Sequence, residues 1–187
     1  MAVSSSMLEL GTKLPAFSLP DTVSGRTVSS SELAGKPSVV MFICNHCPYV
    51  KRIRQGLADF GRYCAERHVA VVAISSNDPG TYPDDAPDKM ALEAKSAGYT
   101  FPYVFDDSQA AAKAFRAACT PEFYIFDAAQ KLAYRGRFDD ANPKNDVPVT
   151  GRDARAAVEA LLAGKQPSGE QHPSIGCSIK WKPGNAP

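Results

Sequence analysis

The feature that most constrains the fold is a pair of almost wholly apolar runs separated by one amphipathic stretch. The runs at 38–43 and 69–74 are rich in valine and isoleucine, which is typical of strands buried on both faces of a sheet. Between them, over 49–67, apolar residues recur at three- and four-residue steps. That spacing predicts a helix with one buried stripe. The order strand, helix, strand therefore predicts an α/β fold.

The rest of the chain continues the alternation of strands and helices. Strands are expected at 16–19, 26–28, 103–105, 122–126 and 131–135, and helices at 89–97, 109–117 and 151–162. The expected fold class is α/β, a three-layer sandwich with helices on both faces of a mixed sheet. We assign 8–163 to one domain and the Pro/Gly-rich 164–187 to a C-terminal tail that packs on it. Residues 1–14 are expected to be a weakly ordered start.

Composition and charge exclude several classes of protein. The chain has 187 residues, of which 44% are hydrophobic and 22% charged, so global disorder and coiled coil are excluded. Its 21 basic and 20 acidic residues give a net charge of +1, which argues against nucleic acid or an anionic membrane as a partner. No apolar run could span a bilayer and no signal peptide is visible, so a cytoplasmic location is expected. An odd number of cysteines in a reducing compartment favours redox, metal or buried roles over structural disulfides.

The motif that carries chemistry is Cys44-Asn-His-Cys47, placed where the first buried run ends and the long helix begins. Free backbone N–H groups and a positive partial charge at a helix N-terminus stabilise a thiolate. His46 adds a positive charge when protonated, and these features can lower the pKa of such a cysteine to about 3.5–7.5. The pair can then cycle between dithiol and disulfide. The alternatives are an inert buried pair and half of a zinc site, for which the chain offers no second ligand pair.

Thr120-Pro121, directly before the predicted strand at 122–126, is the second notable element. Its simplest interpretation is a helix breaker after 109–117. An X-Pro bond at this position can also be cis. Opposite a CxxC motif, such a turn leaves backbone groups free to pair with an extended thiol substrate.

The remaining cysteines have two interpretations each. Cys119 is either a third redox thiol that contacts substrate or a small buried residue. Cys177 lies in the tail, which is either a mobile arm that carries a resolving thiol to the pair or a docked segment held by Ile175, Ile179 and Trp181. Cys64 lies on the apolar stripe of the long helix and is expected to pack in the core.

These residues together resemble a known family. The succession of strand, CxxC, helix, strand, helix, Thr-Pro, hairpin and helix resembles the thioredoxin fold. The leader Gly11-Thr-Lys-Leu-Pro-Ala-Phe-Ser-Leu19 with Asp21 resembles the opening of the peroxiredoxin branch, the alkyl hydroperoxide reductase and thiol-specific antioxidant proteins. The segments Cys-Asn-His-Cys-Pro-Tyr-Val and Gly-Cys-Ser-Ile-Lys-Trp-Lys resemble an uncharacterised peroxiredoxin-like subgroup. The resemblance implies a thioredoxin-like sandwich with an N-terminal β-hairpin extension of the peroxiredoxin type.

The resemblance implies two assignments of the active-site roles. In the thioredoxin assignment Cys44 attacks, Cys47 resolves and Pro121 is the cis-proline. In the peroxiredoxin assignment Cys47 is the peroxide-reactive residue and Cys44 resolves. The chain departs from both families, because the peroxidase arginine falls near Pro121 and the buried thioredoxin acid falls at Ser38. His46 between the cysteines resembles the dipeptide of oxidising thioredoxin-fold enzymes, so the pair is expected to be more oxidising than thioredoxin.

The expected function is a thiol-disulfide oxidoreductase, with weak peroxidase activity as an addition. The expected catalytic residues are Cys44, Cys47, His46 and Pro121, the substrate-contacting residues are Thr120, Asn45 and Cys119, and Cys177 is a candidate resolving thiol. The alternatives are a copper-binding metallochaperone that uses the same cysteines with His46 or His172, and an interaction module without catalysis. We expect no cofactor and no structural metal. The expected partners are a protein or small-molecule disulfide or peroxide and a thiol reductant, with the chain as a monomer or homodimer.

Overall fold

The computed structural model describes residues 2–187 of the chain. The strands are β1 (Ala2–Ser4), β2 (Ser18–Pro20), β3 (Thr27–Ser29), β4 (Ser38–Phe42), β5 (Ala70–Ser75), β6 (Tyr103–Phe105), β7 (Cys119–Thr120), β8 (Glu122–Phe126), β9 (Leu132–Gly136) and β10 (Ile175–Ser178). The helices are α1 (Pro48–Ala65), α2 (Pro87–Ala97), α3 (Ala110–Phe115) and α4 (Arg152–Leu162), with short 3-10 turns at Ser30–Leu33 and Pro83–Asp85. The predicted helices and central strands are all present, with ends that differ by one to a few residues.

The main sheet has five strands in the order β6-β5-β4-β8-β9. Strands β4, β5 and β6 are parallel, whereas β8 is antiparallel to both β4 and β9. Val40 at the centre pairs with Val72 on one side and Tyr124 on the other. The sheet is therefore mixed, as the sequence predicts.

Both faces of this sheet are covered, because successive residues of β4 enter different apolar clusters. Val39 and Met41 pack in the cluster that contains α1, α2 and α4. Val40 and Phe42 pack in the cluster that contains α3, β3 and Ile179 of the tail. Side chains alternate between the two faces of a strand, so the fully apolar run of β4 serves two cores. The three-layer prediction is confirmed.

Helix α1 places the CxxC motif at the edge of the sheet. It begins at Pro48, and Pro is favoured in the first turn because its missing N–H needs no partner there. Cys47 is the N-cap residue, with φ −67° and ψ 123°. The buried residues of the helix include the predicted stripe Val50, Ile53, Leu57, Phe60 and Cys64. This stripe holds α1 against the sheet and so fixes the position of Cys47.

The N-terminal and C-terminal segments form a second sheet, in the order β1-β10-β7. In this sheet Cys177 of β10 lies opposite Ala2 on one side and Thr120 on the other. The expectation of a weakly ordered start is therefore wrong for β1. The predicted hairpin is present as β2 and β3, with Leu19 opposite Val28.

No helix within residues 2–187 combines the length and the hydropathy that a membrane-spanning segment requires.

Candidate functional site

The two cysteines of the motif lie between β4 and α1, and both are buried. Cys44 follows the last residues of β4, and its side chain is 1% exposed. Cys47 caps α1 and is not exposed at all. The predicted position of the motif, at a strand end and a helix N-terminus, is confirmed. Neither sulfur is open to solvent in this conformation.

The Cys47 sulfur is surrounded by hydrogen-bond donors. The thiols of Cys44 and Cys177 and the backbone N–H groups of Val50 and Cys177 face it. Above all the hydrogen bond from Cys44, working against burial, lowers the pKa of Cys47 to about 4. When protonated, Cys47 can instead donate to the carbonyl oxygen of Thr120, which is 3.2 Å from its sulfur. Cys47 is therefore the cysteine of the site that ionises first.

Cys44, in contrast, is held in the protonated state. Burial, its hydrogen bond to Cys47 and the negative charge of Asp85 raise the pKa of Cys44 well above its usual value. Its sulfur lies 3.2 Å from Thr120 Oγ1 and 3.7 Å from His46 Nδ1. The arrangement keeps a proton on Cys44, and that proton stabilises the Cys47 thiolate.

Asp85 anchors the two residues between the cysteines. Its carboxylate accepts hydrogen bonds from the backbone N–H groups of Asn45 and His46, at 2.8 Å and 3.1 Å. It also accepts from His46 Nδ1 at 2.5 Å and from the Asn77 amide at 2.8 Å. Burial would raise the pKa of Asp85, but the hydrogen bonds from His46 and Asn77 outweigh burial and lower it. Asp85 is therefore a buried, ionised carboxylate.

Asp85 is a residue of the site that the sequence did not predict. It lies in the Pro- and Asp-rich loop between β5 and α2, about 40 residues from the motif, and only one of several acidic residues there enters the site. The available signal is weak: an acidic residue in a loop that follows a central strand, at the sheet edge where α1 also begins.

His46 is held on two sides. Its ring stacks on that of Tyr82, with centroids 4.4 Å apart, and its Nδ1 faces Asp85. The Tyr82 ring in turn lies 5.3 Å from the ammonium of Lys180 in the tail. Asn77 links the same two regions, because its amide donates to Asp85 and its oxygen accepts from the Lys180 N–H. The site and the tail are thus joined through one hydrogen-bonded loop.

The Thr120–Pro121 peptide bond is cis, one of the two options that the sequence left open. It places both the hydroxyl and the carbonyl of Thr120 against the cysteine pair. The strand β7 that ends at Thr120 is paired with β10, in the register Cys177–Thr120 and Ser178–Cys119. Cys177 is consequently brought next to Cys47, and the tail is docked rather than free.

Asn45, Cys119 and His172, three other residues predicted from the sequence, each contact other groups of the protein. The Asn45 amide donates to the Asp84 carbonyl and accepts from the Tyr103 hydroxyl. The Cys119 thiol is fully buried and points to Glu122, 3.8 Å away, and no hydrogen bond joins it to the cysteine pair among the described residues. Exposed His172 lies beside Gly136, and its carbonyl approaches the position where a Gly136 Cβ would be.

One group of side chains has the spacing of metal ligands. Ligand atoms of Cys44, His46 and Asp85 lie within 4.8 Å of one another. Both Asp85 oxygens already accept two hydrogen bonds each from the protein, and one of these comes from His46 Nδ1. A carboxylate is also a hard ligand, whereas Cu(I) prefers soft thiolates. The group serves as a hydrogen-bonded chain. It contains only one of the two thiolates that the copper alternative requires.

Comparisons with known proteins identify relatives of the whole chain. The AhpC/TSA family matches residues 10–135. The structure is similar to that of an uncharacterised conserved protein from Geobacillus kaustophilus, with 47% identity, 98% and 97% of the two chains covered and a TM-score of 0.96. It is equally similar to a hypothetical protein from Sinorhizobium meliloti 1021, with 46% identity, 97% and 99% coverage and a TM-score of 0.94. No curated protein gives a significant match.

A more distant likeness identifies the fold. A thiol:disulfide interchange protein of the thioredoxin family from Chlorobium tepidum has 19% identity, coverage of 82% of this chain and 98% of that chain, and a TM-score of 0.63. A putative protein disulfide isomerase from Bacteroides thetaiotaomicron has 22% identity, coverage of 70% and 80%, and a TM-score of 0.57. The thioredoxin-like fold expected from the sequence is confirmed.

Proposed function

Because the chain belongs to the AhpC/TSA family, we propose that it is a thiol-disulfide oxidoreductase in which Cys44 and Cys47 cycle between dithiol and disulfide. The observation that carries the proposal is the Cys47 sulfur, which has a pKa of about 4 and faces the thiol of Cys44. A thiolate at neutral pH beside a protonated partner is the starting state that exchange requires.

Cys47 is the attacking residue in this proposal. Its thiolate attacks one sulfur of a substrate disulfide, a bond forms between Cys47 and that sulfur, and the other sulfur leaves as a thiolate. Cys44 then loses its proton and attacks the Cys47 sulfur. The second half of the substrate is released as a thiol, and the Cys44–Cys47 disulfide remains. The substrate disulfide has gained two electrons, and the cysteine pair has lost them.

The same thiolate supports weak peroxidase activity. The Cys47 thiolate attacks the terminal oxygen of a hydroperoxide, the O–O bond breaks, and Cys47 becomes a sulfenic acid while the leaving alkoxide takes a proton from solvent and departs as an alcohol. Cys44 condenses with that sulfenic acid and releases water. The family resemblance places an arginine near Pro121, and the chain has none at that point. Without that cation the charge on the leaving oxygen is less stabilised, so we expect disulfide exchange to be the faster reaction.

His46 and Asp85 act as positioning residues. Asp85 fixes the backbone of Asn45 and His46 through two N–H donors, and it orients the imidazole. The negative charge of Asp85 also opposes ionisation of Cys44. A reduced form that is stabilised by its thiolate makes the corresponding disulfide a stronger oxidant. This supports the expectation of a pair more oxidising than thioredoxin.

The proposed reaction defines the class of substrate and the reductant that the protein requires. The substrate class is a protein or small-molecule disulfide, and a thiol reductant returns Cys44 and Cys47 to the dithiol. We propose Thr120 and Pro121 as the substrate-contacting turn, since both lie against the pair. Cys177, which also faces Cys47, is a second candidate for the resolving thiol.

The attacking sulfur can be identified by trapping. A variant with Cys44→Ser and Cys177→Ser retains Cys47 and lacks both resolving candidates, so it should accumulate a mixed disulfide with an added disulfide such as oxidised glutathione. Cys47→Ser should form no adduct at Cys44 at pH 7, because Cys44 stays protonated. Mass spectrometry of the intact variants measures both. An adduct on Cys44 but none on Cys47 would reverse the assignment, and no adduct on either would reject the proposed function.

A further inference from the structure

The reacting sulfur of the proposed exchange is covered by the chain itself. Cys47 is not exposed, and Cys177 of β10 lies directly against it. The Cys47 sulfur and the two sulfurs of the substrate disulfide must lie in one line when the exchange takes place. An external disulfide therefore reaches Cys47 only after one covering element has moved aside.

Of the elements that cover Cys47, β10 is the one most easily displaced. It pairs with β7 over only two residues and with the three-residue terminal strand β1 over three, and Ile175 at its start is 54% exposed. The other groups around Cys47 belong to Thr120 of β7 and to the buried core that includes β4 and α1. Beyond β10 the tail is fixed, because Ile179 is buried and the Lys180 and Lys182 N–H groups donate to buried side chains of the domain. Opening therefore needs the displacement of β10, of the segment that precedes it and of β1, which pairs with it.

We propose that the edge of β7 is a docking site for an extended peptide and that β10 occupies this site when no substrate is bound. The substrate segment has the sequence apolar–Gly–Cys, with its cysteine in a disulfide, and it takes the place of β10. This inference rests on the proposed function, because it specifies the substrate of that same site. The sequence of β10, Ile175-Gly-Cys-Ser178, is the template of the segment.

Glycine before the cysteine is required by a close approach of two backbones. A Cβ added at Gly176 would lie 1.9 Å from the Thr120 carbonyl oxygen and 2.6 Å from its carbon. Both atoms are backbone, so no rotation of a side chain relieves the clash. Any segment that pairs with β7 in this register meets the same obstacle, and we expect β7 to discriminate against larger residues there.

The apolar residue two positions before the cysteine is favoured by a cavity beside the cis-proline. Side chains at alternate positions of a strand point to the same side, so Ile175 and Cys177 share one face. Ile175 lines a cavity of about 100 Å³ whose lining combines the apolar Tyr49, Ile53 and Pro121 with Arg137, Asp139 and Asp140. An apolar side chain at this position buries surface against the apolar residues. An aspartate meets two carboxylates there, and the guanidinium of Arg137 is already paired with Asp140.

The experiment compares peptides on the reduced, full-length protein. The reference peptide is Pro-Ser-Ile-Gly-Cys-Ser-Ile-Lys, with its cysteine in a mixed disulfide with thionitrobenzoate, whose release gives an absorbance change. Two matched peptides carry valine in place of glycine or aspartate in place of the first isoleucine. We expect the valine peptide to react about tenfold more slowly than the reference and the aspartate peptide about threefold more slowly. Rates within about twofold for all three would overturn the inference.

This comparison separates the inference from the proposed function. If all three peptides react at Cys47 at equal rates, the docking preference is wrong while the oxidoreductase remains. If neither the peptides nor free dithio-bis-nitrobenzoate reacts at Cys47, the proposed function itself fails.

A variant pair tests whether β10 is the occupant. Gly176→Ala should loosen β10 and raise the rate with the reference peptide by about threefold or more, because the internal competitor is weakened. Gly169→Ala is the matched control, since a Cβ there meets nothing within 4 Å, and its rate should equal that of the wild type. A Gly176→Ala rate that is unchanged or lower would contradict the proposal. Should this variant not fold, the peptide series on the wild type decides alone.

Discussion

At the scale of single residues, the two cysteines of the motif have opposite protonation states because burial and their mutual hydrogen bond keep the proton on Cys44, and the negative charge of Asp85 adds to this effect. Cys44 lies on the side of the buried Asp85 carboxylate, whereas Cys47 lies at the N-terminus of α1 among hydrogen-bond donors. A negative charge disfavours a neighbouring thiolate, and a helix N-terminus favours one. The distribution of one proton between two sulfurs thus depends on a residue outside the motif.

Removing the charge of Asp85 should make Cys44 easier to ionise. Cys44 can be observed alone in the Cys47→Ser background, where we expect Asp85→Asn to lower the pKa of Cys44 by about one unit. The rate of alkylation of Cys44 as a function of pH, followed by mass spectrometry, measures this pKa. Asp84→Asn is the control, since exposed Asp84 contributes only its backbone carbonyl to the site. An equal shift in both variants would mean that the charge of Asp85 is not the cause.

Which site residues the sequence can predict depends on how far along the chain their contacts reach. Cys44, Cys47 and the cis bond before Pro121 are marked by local patterns, namely a motif at a strand end and a proline before a strand. Asp85 enters the site only because its loop folds back over the start of α1. Nothing in its immediate neighbours distinguishes it from Asp84, so the sequence could not assign it a role.

At the scale of elements, the segment that leads into α1 and the strand β10 each place a thiol beside Cys47. Cys44 precedes α1 in the same segment, and Cys177 arrives on a strand from the far end of the chain. Both thiols face the Cys47 sulfur. The chain therefore holds two candidate resolving thiols, one on each side of the attacking residue.

This arrangement predicts a change of disulfide when the nearer thiol is removed. With one equivalent of hydrogen peroxide, the wild type should form the Cys44–Cys47 disulfide, and Cys44→Ser should form Cys47–Cys177 instead. Peptide mapping after alkylation of free thiols identifies the linked peptides. The double variant Cys44→Ser, Cys119→Ser should give the same Cys47–Cys177 link, because the Cys119 thiol faces Glu122. Overoxidised Cys47 without any link to Cys177 would show that β10 does not supply a resolving thiol.

The elements themselves differ in how well the sequence predicts them. Helix α1 and strands β4 and β5 have long apolar patterns, and their own periodicity specifies them. Strands β1 and β10 have three and four residues and pair with each other from opposite ends of the chain. The pairing of β10 with β7 rests on Gly176, which allows a close approach to Thr120, and neither short strand has a periodic signal. The tail was expected to pack on the domain, but its strand could only be seen in three dimensions.

At the scale of the whole molecule, the cysteine site links folding to pH. The pKa of Cys47 is about 4 in the folded chain against 9.0 for an ordinary cysteine. The unfolded chain therefore binds one more proton than the folded chain between these values, and stability rises with pH. The raised pKa values of Cys44 and Cys177 act only above about pH 9, where they reduce stability. The lowered pKa of Asp85 acts only below about pH 4.

Between pH 5 and pH 8 the contribution of Cys47 should thus change, and so should that of Glu122, because burial raises the pKa of this carboxyl above its usual value. We expect the reduced protein to lose stability as the pH falls from 8 to 5, and the loss should be about 4 kcal/mol greater in the wild type than in Cys47→Ser. The measurement is urea denaturation at both pH values with a phosphine reductant present. The titration of groups that both proteins share, such as Glu122, cancels in the difference. Equal losses in the two proteins would mean that Cys47 titrates as an ordinary thiol, and the proposed attacking thiolate would have no basis.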